Sequence, residues 1–166
     1  MCGKVPLIES ISDEELSRLI ETPKSIVKHA RKKMIIENGS ERNDMILSSI
    51  EGAYDEVQEF SVFIRRSCML PEDFSIGLCW KTKERGKVIL LRYNGKHGQN
   101  RSVVHQRVPH IHRLIEADVL RGIYDPHHAE MVQKYTIMEE AIPLFMEECH
   151  VLHWEDDFPN LKEPNL

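Results

Sequence analysis

Aromatic residues are scarce in this chain, at 7%, and its four cysteines (Cys2, Cys68, Cys79 and Cys149) form no CxxC unit. The first scarcity argues against a surface built for extensive base stacking. The second argues against a disulfide scaffold or a pair of CxxC metal knuckles. Cys68, Cys79 and Cys149 lie in apolar segments and read as small buried hydrophobes. No apolar run approaches the ~18 residues that span a bilayer. The opening MCGKVPLIES lacks the apolar stretch of a signal peptide, and glycine stands at position 3 rather than 2, which breaks the N-myristoylation pattern. The expectation is a cytoplasmic protein with no membrane contact. HExxH, the Walker loop, GxGxxG and GxSxG are all missing, so zincin, P-loop, dinucleotide and hydrolase-elbow chemistry have no motif here.

What remains is an ordinary globular composition. The 166 residues are 41% hydrophobic and 30% charged, with a formal charge of −5. A chain of this size buries enough surface for one self-sufficient core. Residues 1–154 read as a single α+β domain: an antiparallel sheet of about five or six strands with helices packed on one face. Residues 155–166, acidic and Pro-bearing, read as a C-terminal tail, either a strap or a frayed end.

Ser12 and Glu15 have the spacing of a capping box, with Ile11 and Leu16 at the positions of a hydrophobic staple, so a helix starts there. Thr22-Pro23 ends it, because a residue before proline is pushed out of the α region. Residues 24–36 fit a basic helix or a strand; Asn38-Gly39, between MIIE and MILSSI, favours a hairpin. Period-two alternation marks strands at 57–68 and 73–81, and 87–93 is an apolar run fit for a central strand. Residues 103–115 extend the pattern, with Pro109 confining that stretch to an edge or a bulge. Such an edge could pair across a homodimer. Asp125-Pro126 has the form of a helix start, with His127 and His128 in its first turn. Thr136 and Glu139 match a second capping box before the stripe Met138, Ala141, Ile142, Phe145, Met146 and Cys149.

Two polar clusters stand out. Leu91 to Arg101, LRYNGKHGQNR, is a loop rich in Gly, Asn and His, with Arg92, Tyr93, Asn94, Lys96, His97, Asn100 and Arg101 in or beside it. Cationic side chains and freed backbone N–H groups suit a phosphate or another anion; a solvated turn is the alternative. The second cluster is His105 with His110 and His112. Residues two apart on a strand share a face, so the last two imidazoles converge. Two chemistries follow. His110 and His112 fit an acid–base pair acting on a phosphodiester, with Arg92 and Arg101 stabilising the transition-state charge and Tyr93, Asn94, Lys96, His97, Asn100 and His105 binding the ligand. Alternatively, His110, His112 and His97 (with His105 or Glu116 as other third ligands) hold zinc or another divalent transition metal. Nine histidines make one His-x-His pair unsurprising by chance, so packed or surface histidines remain a third reading.

Charge is unevenly spread. Residues 24–33 carry Lys24, Lys28, Arg31, Lys32 and Lys33 with no acid, and residues 81–101 carry seven basic residues against Glu84. Residues 139–157 carry seven acids and no Lys or Arg. A basic sheet face opposite an acidic helix end would steer a polyanion. These features point to RNA or a nucleotide as ligand and to metal-independent RNA cleavage. A non-enzymatic module for a protein or nucleic-acid partner and a His-ligated metalloprotein stand as alternatives.

The segments FSIGLCWK, VILLRYNGKHG, HIH and YTIMEEAIPLFMEEC together resemble a family of small, uncharacterised prokaryotic proteins with relatives among toxin–antitoxin-like genes. The resemblance spans residues 45–150. It implies matching positions at Arg92, Tyr93, Asn94, Gly95, His97, Gly98, His110 and His112, with Asn100-Arg101 at the loop end. It also implies a ribonuclease-like toxin and a protein partner such as an antitoxin, although the family brings no assigned reaction.

Overall fold

Ser12 caps the first helix as its spacing predicts. In the computed structural model, which describes residues 2–37, 39–97 and 107–161 (31–37 by backbone only), the Ser12 hydroxyl accepts from the Glu15 N–H at 3.1 Å. Glu15 Oε1 accepts from the Ser12 N–H at 3.1 Å, completing the box. Helix α1 (Asp13–Glu21) turns Leu16, Leu19 and Ile20 inward and ends at Thr22-Pro23.

Strands β1 (Lys24–Glu37) and β2 (Ser40–Ser49) follow as an antiparallel hairpin, which settles residues 24–36 as strand. Then come β3 (Glu59–Ser67), β4 (Phe74–Thr82), β5 (Gly86–Asn94) and β6 (His110–Arg113). Helix α2 (Glu116–Leu120) precedes β7 (Ala129–Met131), and helix α3 (Met138–Glu148) precedes β8 (Val151–Leu152). Among the described residues, eight strands form one sheet in the order β7-β6-β5-β4-β3-β2-β1-β8. Every neighbouring pair is antiparallel except β1 with β8, which is parallel. The sheet is therefore larger than five or six strands, and mixed. Its two additional edge strands are two or three residues long, too short for alternation to mark them.

Other expectations change too. Residues 125–128 are not helical: Asp125 accepts from Arg92 at 3.4 Å instead of capping a helix, and the chain runs on into β7. Pro109 does not leave an exposed edge, because β7 pairs with β6 from His110 to His112. The Thr136–Glu139 box does not form; α3 begins after Ile137, and the Thr136 hydroxyl donates to Glu140 at 3.4 Å. Cys68 is exposed just past the end of β3, while Cys79 and Cys149 are buried. In the tail, Phe158 and Leu161 pack against the core, and Asp157 Oδ1 lies 2.8 Å from His29 Nε2, so residues 155–161 act as a strap.

Register assigns the two sheet faces. Leu47, Phe60, Leu78, Trp80, Leu91 and Ile111 join the apolar stripes of α1 and α3 in one core cluster. Residues alternating with them (Asp44, Ser61, Phe63, Ser75, Gly77, Arg92, Asn94, His110 and His112) lie on the opposite, open face. One extra residue in β5, Leu90, bulges between the Cys79–Ile89 and Leu78–Leu91 pairs and keeps this alternation in step. No helix among the described residues is long and apolar enough to cross a membrane.

Lys24 and Glu148, on the covered face, have fixed partners. Lys24 is fully buried, and its ammonium donates to the carbonyls of Ile20 (2.7 Å), Thr22 (2.6 Å) and Cys149 (2.9 Å). It thereby ties the ends of α1 and α3 to β1; burial lowers its pKa to about 8. Glu148 on α3 takes two bonds from Arg113, at 2.6 and 3.1 Å, and one from the Tyr93 hydroxyl. Burial works against its charge, but the Arg113 guanidinium and the Tyr93 hydroxyl outweigh that and hold its carboxyl below the ordinary value.

Candidate functional site

The site grows from the pairing of β4, β5 and β6. Asn94 stands opposite Ser75 on one side and His110 on the other, and Arg92 stands opposite Gly77 and His112. Two rows of open-face side chains therefore meet at the His-x-His strand. His110 and His112 do share a face: their ring centroids lie 4.9 Å apart, nearly perpendicular. His97, three residues past the end of β5, brings a third ring to 4.9 Å from His110.

Hydrogen bonds define the state of His110. It is fully buried, and its Nδ1 lies 2.8 Å from the Val108 carbonyl oxygen, which can only accept. Nδ1 therefore carries the proton, and in the neutral ring Nε2 keeps the lone pair. Asn94 Nδ2 and His97 Nε2 each lie 3.2 Å from that Nε2, placed to donate to it. The Asn94 amide is itself oriented from behind, because the Ser75 hydroxyl donates to its Oδ1 at 2.7 Å. Below the sheet, the Tyr135 hydroxyl donates to the backbone carbonyls of Asn94 (2.8 Å) and His110 (3.0 Å). Burial raises the Tyr135 pKa, so it remains a donor. A relay of fixed groups thus holds the His110 ring in one orientation, with Asn94 and His97 both directed at its Nε2.

Arg92 brings a guanidinium to the site, shared with Asp125. Its Nη1 is 3.4 Å from Asp125 Oδ1, while its Nε is buried with no hydrogen-bond partner among the described residues. A buried donor without an acceptor is costly unless a ligand completes it.

Of the residues selected from sequence, Arg92, Asn94, His97, His110 and His112 come together. Tyr93 does not join them: it points to the covered face, stacks on Tyr135 at 5.4 Å and bonds Glu148. Alternation alone sends it there, since Asn94 and Arg92 take the other side. Lys96 is exposed. Asn100, Arg101 and His105 lie outside the described residues. Glu116, the other third metal ligand considered, opens α2, where its backbone N–H donates to Asp13 at 2.8 Å. Among the described residues, no group of three His, Cys, Asp or Glu side chains is placed to hold a metal ion. Ser75 and Tyr135 were not anticipated as positioning residues. Ser75 had a signal, its place on the polar side of an alternating strand, whereas Tyr135 reaches the site only through backbone carbonyls, which no sequence pattern encodes.

The basic stretch at 81–101 is largely neutralised. Lys81 pairs with Glu59 (3.2 Å), Lys83 with Glu56 (2.6 Å), Arg85 with Glu9 (3.5 Å) and Arg92 with Asp125 (3.4 Å). Sequence-local charge overstated the field. The open face carries positive charge at particular points instead.

No family model matches the chain, and no curated protein or solved structure matches it, so the site is read from its own geometry.

Proposed function

We propose that the open-face cluster of Arg92, Asn94, His97, His110 and His112 binds a phosphate of RNA or of a nucleotide and cleaves the RNA phosphodiester without a metal. The observation that carries this reading is a chain of three close imidazoles, His97, His110 and His112, with Arg92 directly across the strand pair from His112 and its buried Nε lacking an acceptor among the described residues. His110 is the base that takes the 2′-hydroxyl proton at Nε2, the Asn94 and His97 contacts to that nitrogen giving way to the substrate hydroxyl. The 2′-oxygen then attacks phosphorus as the bond to the 5′-oxygen breaks. His112 in its protonated form donates the proton that the 5′-oxygen needs, and Arg92 stabilises the extra charge on the phosphoryl oxygens. The products are a 2′,3′-cyclic phosphate and a 5′-hydroxyl, and the proton count balances.

A second reading has one observation in its favour. Two imidazole nitrogens on one tetrahedral zinc, with bonds of ~2.1 Å, stand about 3.4 Å apart. His97 Nε2 and His110 Nε2 are separated by 3.2 Å, and the Val108 carbonyl holds Nδ1 of His110 as metal-ligating histidines are commonly held.

Incubating purified protein with RNA in EDTA separates the two. The phosphodiester reading expects cleavage to cyclic-phosphate ends by the wild type and loss of cleavage in the His110→Ala/His112→Ala double variant. Equal survival of RNA with both proteins contradicts it. Cleavage abolished by EDTA and restored by zinc would establish the metal reading instead.

A further inference from the structure

A cavity of about 710 Å³ opens on the same sheet face as the histidine cluster, and Arg42, Asp44, Ser61, Phe63, Arg65 and Lys87 are among its lining residues. Arg42, Arg65 and Lys87 against Asp44 and Asp73, the partners of Arg42 and Arg65, leave one cation in excess. The cations are spaced across the face: Arg42 sits on β2, Arg65 on β3 and Lys87 on β5. Arg65 is held by Asp73 at 2.9 Å and lies 3.4 Å from the Ser40 hydroxyl; Arg42 is held by Asp44 at 3.1 Å. These side chains are positioned in advance, as a recurring anion requires.

The same two cross-strand rows that build the histidine site run into this cavity. One row is Asp44, Phe63, Gly77, Arg92, His112; the other is Arg42, Arg65, Ser75, Asn94, His110. Phe63 is the joint between cavity and site. It is a half-buried aromatic on a face that mixes polar side chains with Ile46, Cys79 and Ile89, and its ring lies over Gly77, where a Cβ would come within 2.2 Å of it. The Arg42 guanidinium stands 5.5 Å from the centre of the Phe63 ring. Glycine at 77 thus leaves room for a ring next to Arg92, and a base stacks on that ring by taking the place of the Arg42 guanidinium that now stands over it. From β3 to β6 is three strand spacings, about 14 Å, more than one nucleotide covers.

We propose that this cavity is a second subsite and that the ligand is single-stranded RNA of several nucleotides, with one phosphate at the histidine cluster, a neighbouring base on Phe63 and further backbone phosphates on Arg65 and Lys87. The proposal rests on the phosphodiester reading of the histidine site and adds the substrate's length and strandedness. A duplex does not offer a free base to Phe63, so pairing the strand removes the contact.

Binding by fluorescence anisotropy, in EDTA, tests it with a non-cleavable 2′-O-methyl hexaadenylate, the same strand annealed to its complement, and adenosine 3′-monophosphate as competitor. The expected result is single strand bound more tightly than duplex, and a hexamer-to-mononucleotide affinity ratio that falls about tenfold in Phe63→Leu. Lys87→Ser is expected to lower the salt dependence of hexamer binding by about one phosphate contact. Circular dichroism confirms that both variants fold, and the two substitutions probe the cavity independently. A ratio unchanged in both variants, with the mononucleotide still bound at the histidines, overturns the second subsite and spares the first. Failure of both hexamer and mononucleotide to bind overturns both. A duplex bound as tightly as the single strand also overturns the proposal.

Discussion

The two faces of this sheet are made from the same strands and treat polar groups in opposite ways. On the covered face, the charged groups Lys24 and Glu148 are consumed by fixed partners, Lys24 by three carbonyls and Glu148 by Arg113 and Tyr93, while the Asn43 side-chain oxygen is buried there with no partner among the described residues. On the open face, polar groups orient one another toward a common point, as Ser75 does Asn94 and Asn94 does His110. Neighbours along the chain fall on either side of this divide, Tyr93 beside Asn94 and Ile111 between His110 and His112. Burial therefore does not distinguish structural from functional polarity here, since His110 is as buried as Lys24. What distinguishes them is that the open-face hydrogen bonds gather several imidazoles at one point next to Arg92.

Substitutions on the two faces should separate accordingly. The largest loss is expected from Lys24→Met, which keeps the volume but leaves three buried carbonyls without their donor; we expect about 3 kcal/mol less stability in urea unfolding. Nucleotide affinity per folded molecule should be retained. Gly95→Ala comes next, at the border between the faces. A Cβ there would lie 2.2 Å from the Glu72 carbonyl oxygen and 2.4 Å from the Phe74 ring. Backbone cannot swing away as a flexible side chain does, so a loss of about 2–3 kcal/mol is expected.

A smaller effect with a pH signature is expected of Glu148→Gln. Because the carboxyl is held below its ordinary 4.5 in the folded chain, its contribution is complete above pH 4.5 and is lost as pH falls through the lower folded value. Wild-type stability should therefore decline below pH 4.5, and the variant should lack that part of the slope. Arg113 is over one-third exposed, so water screens the pair and the neutral-pH cost is about 1 kcal/mol. The smallest stability change is expected of Ser75→Ala, below about 1 kcal/mol. Yet it frees the Asn94 amide to rotate, so ¹⁵N spectra of the His110 ring should change although Ser75 does not touch that ring.

Much of this division was legible in the sequence. Alternation in residues 57–68 and 73–81 marked two faces, and the spacing of His110 and His112 placed both on one side. The grouping of Arg92 and Asn94 with them follows from the same rule once the strands pair, whereas His97 lies past the end of β5 and no alternation places it. What sequence could not supply was registry at a distance. Asp125 reads as a helix cap until Arg92 takes it, and Lys81, Lys83 and Arg85 read as a basic patch until Glu59, Glu56 and Glu9 arrive from other strands and loops. Tyr93 read as part of the binding loop because it sits beside Asn94, and a single residue of offset moved it to the core. The short edge strands β7 and β8 carry too few residues for any period to appear.

The most direct test of the central claim is a histidine side-chain ¹H–¹⁵N titration with adenosine 3′-monophosphate in EDTA. The expected result is concerted shifts at His97, His110 and His112, with the exposed His127 and His128 unmoved, and loss of those shifts in Arg92→Ala. Shifts confined to His127 and His128, or no shift at His110 at saturating nucleotide, would contradict it.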